Sequence, residues 1–67
     1  MSALFETLPI PLEAQIRSVE REIGLRLSAY PRFVAEHRMT QVKADHEIAA
    51  MRAVLRTLQS IKESGSA

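Results

Sequence analysis

The sequence has no cysteine and no tryptophan, only two glycines, and three aromatic residues, Phe5, Tyr30 and Phe33. Without cysteine, disulfides and thiolate metal sites are excluded. The nitrogen ligands are His37 and His46, nine positions apart. They do not form an i, i+4 pair, and a zinc site usually wants about four ligands. No metal and no cofactor is therefore expected. No apolar run approaches the ~18 residues of a membrane span. Met1 to Pro11 lacks a basic n-region and a continuous apolar stretch, so it does not read as a signal peptide. The default expectation is a cytoplasmic protein without membrane contact. A Gly-rich phosphate loop, a nucleophile–base pair and a paired acidic motif are also missing, so an enzyme is not expected. The net charge of +1 supplies no long-range field for nucleic acid.

What is present is helical patterning. Pro9 and Pro11 push Leu8 and Ile10 out of the helical region, so residues 1–10 read as an extended arm. Leu4, Phe5, Leu8 and Ile10 make it too apolar for a simple solvated tail, and a place across a helix groove is expected for it. A first helix is predicted over about 11–36, with Pro11 at its first position and Glu13 in its first turn. Leu12, Ile16, Val19, Ile23, Leu27, Tyr30 and Val34 recur at steps of 4, 3, 4, 4, 3 and 4, which keeps one stripe on one face. Glu13–Arg17 and Glu22–Arg26 are i, i+4 pairs in the favourable order. Pro31 deletes one backbone bond, and a kink there is expected. A break with a short second piece is the alternative. Gly24 costs ~1 kcal/mol against alanine, so it is expected to mark a close helix approach.

Thr40 is a good N-cap for a second helix over about 41–62, and Met39 and Ala44 hold the positions of a hydrophobic staple. Ala44, Ile48, Met51, Leu55 and Leu58 form its seam, flanked by Ala50, Val54 and Ile61. Residues 63–67 read as a flexible tail. The short connection makes the two helices antiparallel. The fold class is thus all-α, an antiparallel two-helix hairpin with an extended N-terminal arm.

Two helices cannot enclose a core, and a chain of 67 residues gains only ~3–5 kcal/mol from one. The second helix is apolar over a wider arc than one neighbour needs. The first carries a second apolar row, Leu25, Ala29 and Phe33. A two-fold homodimer forming a four-helix bundle is the simplest way to cover these surfaces; an obligate complex with a different protein is the alternative. The core or dimer seam comprises Ile16, Val19, Ile23, Leu27, Tyr30, Ile48, Met51, Val54, Leu55, Leu58 and Ile61. Leu25, Ala29 and Phe33, with Arg38 and Met39 at the turn, are the candidate partner-binding residues.

Seven of the nine basic residues are arginine. Arg17, Arg21, Arg32, Arg52 and Arg56 fall on outward faces and could contact phosphate. A solvated, charge-balanced face is favoured over that reading, since Glu20 and Asp45 lie near and no aromatic interleaves with them. Glu47 sits at the edge of the apolar arc; a rim position is favoured unless an arginine of the first helix faces it.

The stretches Val19-Glu20-Arg21-Glu22-Ile23-Gly24-Leu25-Arg26, Tyr30-Pro31-Arg32-Phe33-Val34, Arg38-Met39-Thr40-Gln41 and Glu47-Ile48-Ala49-Ala50-Met51 resemble small uncharacterised helical proteins encoded by bacteriophages and prophages. The resemblance covers about Pro11 to Leu58. In such proteins a glycine commonly stands where His37 is, and His37 departs from that pattern. No activity comes with the resemblance. It implies a binder that inhibits or modulates a host protein in the host cytoplasm. A nucleic-acid or nucleotide binder, or a structural component of phage assembly, are the alternatives.

Overall fold

A computed structural model describes residues 9–65; residues 1–8 of the arm expected over 1–10, and the last two residues, lie outside them. Two α-helices pack against each other, α1 (Leu12–Ala35) and α2 (Gln41–Gly65), and no strand occurs among the described residues. The backbone of Pro11 is extended, with φ −58° and ψ 148°, and its carbonyl accepts the first helical bond from the N–H of Gln15 at 3.1 Å. Pro11 is therefore the N-cap, one position before the helix proper. α1 continues through Pro31 without a break in the helical assignment. Pro31 has no N–H to give the carbonyl of Leu27, but both residues are exposed, which leaves that carbonyl within reach of water. α2 runs three residues past Lys62, to Gly65.

The connection is a helix-ending motif built on an unusual residue. Glu36 closes α1, and His37 follows in the left-handed region with φ 60°. The N–H of His37 donates to the carbonyl of Val34 at 3.1 Å, and that of Arg38 to the carbonyl of Phe33 at 2.8 Å. These are the two bonds of a Schellman ending, in which glycine normally takes the left-handed position. An apolar contact usually accompanies the motif. Here the Arg38 guanidinium lies 4.3 Å from the centroid of the Phe33 ring, linking the two residues that the 2.8 Å backbone bond already joins. Thr40 then caps α2, its Oγ1 accepting from the N–H of Lys43 at 3.1 Å.

Among the described residues, Ile16, Ile23 and Ala44 are the buried apolar side chains. Val19, Tyr30, Val34, Ile48, Met51, Leu55 and Leu58 are half-buried along the same contact. Leu27, Val54 and Ile61, placed on the seam by their spacing, are 46%, 43% and 53% exposed. They stand at the edges of the helix contact, where a single neighbouring helix leaves a wide stripe uncovered. Gly24 does not mark a close approach: a Cβ added there meets nothing within 4 Å.

Substitutions at three positions test this account by chemical denaturation. Gly24→Ala enters open space and should stabilise by about 1 kcal/mol. His37→Gly removes the left-handed penalty and should also stabilise, by about 0.5–1 kcal/mol. Thr40→Ala should destabilise by about 1 kcal/mol, while Thr40→Ser keeps most of the cap.

Candidate interaction surfaces

The hairpin has two broad faces, one on each side of the line where the helices touch. Arg26 marks the first. Its Nε donates to Glu22 Oε2 at 2.8 Å, and its Nη1 donates across the hairpin to the backbone carbonyl of Glu47 at 3.0 Å. The same Nη1 stands 3.7 Å from Glu47 Oε1, and Lys43 Nζ stands 3.7 Å from Glu47 Oε2. An arginine of α1 thus faces Glu47, which favours a paired carboxylate over a plain rim position, though Glu47 keeps a side-chain exposure of 32%. The hydrogen bond to Glu22 pushes the Arg26 pKa further up; partial burial works against this, and Tyr30, Glu22 and Glu47 reinforce it. Arg26 is a permanent cation, also 6.0 Å from the centroid of the Tyr30 ring. Glu13 and Arg17, by contrast, do not form the pair that their spacing allows.

Farther from the turn, this first face becomes apolar. At 100° per residue, Gln15, Val19 and Glu22 share the Arg26 side of α1, and Val54 and Ile61 share the Glu47 side of α2. The Arg26–Glu47 bond places these two rows on one face.

Leu27 marks the second face. It lines a groove of about 330 Å³ with Asp45, Ile48, Ala49 and Arg52. It also lines a neighbouring one of about 230 Å³ with Tyr30, Pro31, Gln41, Ala44, Asp45 and Ile48. By the same helical angles, Arg17, Arg21 and Arg56 fall on the outer flanks of this face with Arg52. Arg21 Nη2 reaches Ser18 Oγ at 3.4 Å.

The residues expected to meet a partner form a slanted ridge rather than a flat patch. Leu25 is 59% exposed on the outer side of α1. Ala29 and Phe33 are half-buried nearer the contact line. Phe33 is not bare: Arg38 covers it, Arg32 stands 5.7 Å from its centroid, and Tyr30 lies 6.1 Å away ring to ring. The expectation that no aromatic interleaves with the arginines fails here: Phe33 directly follows Arg32 in sequence, and the end of α1 brings Arg38 to the same ring. Met39 is half-buried and lines a shallow concavity at the turn with Val34, His37, Arg38 and Thr40.

Among the described residues no group of three His, Asp or Glu side chains could hold a metal ion, and no helix is long and apolar enough to cross a membrane. Neither a known protein family, nor a curated protein, nor a solved structure matches the chain.

The Arg26 cluster generates a prediction for a double-mutant cycle. Arg26→Ala should cost about 1–2 kcal/mol, because it removes a charged donor from a partly covered backbone carbonyl. Glu47→Ala should cost less, since the carbonyl bond survives it. Their coupling should stay below about 1 kcal/mol, as expected of a long, half-exposed ion pair.

Proposed function

We propose that the protein is a small homodimeric binding module without catalytic activity, acting by contact with another protein. One observation carries this reading. Among the described residues three apolar side chains are buried, whereas Leu25, Leu27, Val54 and Ile61 keep 43–59% of their surface. Burying a leucine or valine is worth ~1.5–3 kcal/mol, so a partner surface supplies stability that the hairpin lacks. Helices of 24 and 25 residues at 1.5 Å per residue, side by side, give a face of roughly 36 by 20 Å. That is close to the ~800 Å² per partner of a standard interface. The Leu27 face supports the role of dimer seam, forming a four-helix bundle. The ridge of Leu25, Ala29 and Phe33, with Arg38 and Met39, supports the role of target surface. The resemblance to phage-encoded helical proteins suggests a host protein in the bacterial cytoplasm as the target and inhibition or modulation as the effect.

Sedimentation across a range of concentrations tests the dimer. A dimeric mass is expected, with a melting midpoint that rises with concentration. Leu27→Asp should return a helical but less stable monomer. A well-folded monomer at every concentration would sink the reading. For the target surface, Leu25→Asp should abolish capture of a host protein while helical content survives, since Leu25 makes no contribution to the core.

A second reading, binding of nucleic acid or a nucleotide, is favoured by the placement of Arg52 in the Leu27 groove with Arg17, Arg21 and Arg56 on its flanks. Affinity for mixed DNA that falls steeply with salt would support it. Absence of binding at low salt removes it.

A further inference from the structure

The charges on the Leu27 face are arranged symmetrically about a point on α2. Asp45, Ile48, Ala49 and Arg52 line the groove beside Leu27. Asp45 and Arg52 are seven residues apart, so they stand on one side of α2, about 10 Å from each other along its axis. Ile48 and Ala49 lie midway between them. Gln41 and Arg56 fall one turn further out on the same side and extend the pattern. The hairpin leaves these charges largely unused. Among the described residues Arg52 and Arg56 have no hydrogen bond or ion pair. Asp45 accepts from Gln41 Nε2 through Oδ1 at 2.9 Å. Asp45, Arg52 and Ala49 are all exposed. A two-fold interface must be complementary to itself, so that where one residue meets a second, the second meets the first. A two-fold axis perpendicular to α2, passing between Ile48 and Ala49, satisfies this. It lays α2 antiparallel on α2 of another copy and brings Asp45 of each level with Arg52 of the other. Ala49, small and beside the axis, lets the two backbones approach. The same rotation sets α1 over its own counterpart, so the Leu27 and Ile48 side chains of both copies gather at the centre.

We propose that a second copy of this chain occupies the Leu27 groove in this antiparallel register, fixed by two reciprocal ion pairs between Asp45 and Arg52. The proposal rests on the homodimer reading and adds which helices meet, in which direction and at which residues. The apolar groove supplies the affinity. Ion pairs at an exposed rim add little net stability, but like charges brought together repel. A parallel arrangement of the α2 helices sets Asp45 against Asp45 and Arg52 against Arg52, and is excluded on that ground. The charges therefore act by choosing one arrangement of an otherwise undirected apolar contact.

Charge reversal in the full chain tests the register. Arg52→Asp alone opposes two pairs of carboxylates across the axis, and Asp45→Arg alone opposes two pairs of guanidinium groups. Each should weaken the dimer roughly tenfold or more in sedimentation, and the deficit should shrink as salt is raised. Both substitutions in one chain put opposite charges at both contacts again and should recover the dimer. An equimolar mixture of the Arg52→Asp chain with the Asp45→Arg chain does the same. It should give a heterodimer tighter than either homodimer, counted by native mass spectrometry. The lack of cysteine permits a second arm. Ala49→Cys, beside the axis, should form a disulfide with its own counterpart under mild oxidation. Val42→Cys, about 20 Å from its counterpart along the helices, should not. A dimer equally tight in every charge variant overturns the register and leaves the homodimer reading standing. Dimers weakened by the single changes but rescued by neither the double change nor the mixture overturn it too. A chain that is monomeric at every concentration, even if it binds mixed DNA or a different protein through Arg52, overturns both.

Discussion

Everything in this hairpin hangs on the five residues that reverse the chain, Glu36 to Thr40. The left-handed backbone of His37 directs two amide groups back to Phe33 and Val34 and ends α1. Thr40 starts α2 three residues later by accepting from Lys43. With both ends fixed, the helices have little choice but to run antiparallel, and the register between them is set within about one turn. Ile16 and Ile23 then meet α2, and Arg26 comes opposite Glu47. A cation stacked on Phe33 does the work usually given to an apolar pair, at a site where the chain is open to water.

The sequence made much of this legible. The steps of 3 and 4 between apolar residues located both helices, and Thr40 marked the start of the second. Other features carried no local signal. Histidine is enriched in the left-handed region over most other residues but still seldom adopts it, so His37 marked a departure from glycine without fixing its conformation. The bond from Arg26 to the carbonyl of Glu47 joins positions 21 apart and goes to a backbone atom, which no side-chain pattern encodes. Gly24 suggested a close approach that is absent, because a glycine on the solvent side of a helix looks the same in sequence as one in a tight crossing. Leu27 belongs to the stripe by its spacing, yet it lies at the edge of what one neighbouring helix covers. For the candidate surfaces, the apolar surplus was readable, but its division into two opposite faces was not. That division depends on which flank of α1 meets which flank of α2, and Arg26 decides it.

The two faces differ in character. One combines a charged cluster near the turn with an apolar half at the open end. The other is a groove around Leu27 and Ile48 with arginines along its flanks. Under the proposed reading, this separation lets self-association and target capture use different side chains. The ridge at Leu25, Ala29 and Phe33 adds a third direction, pointing away from the groove.

The tight turn also shapes how the molecule would assemble and come apart. Contacts between α1 and α2 are nested around residues 36–40, so those beside the turn close the shortest loops and those at the open end the longest. A zipper of this kind has a low contact order, which goes with folding in microseconds to milliseconds. Opening would run the other way. The last turns of α2, exposed from Gln59 to Gly65, are the natural place for helix fraying to begin, and backbone amides there should exchange with solvent far sooner than those around Ala44.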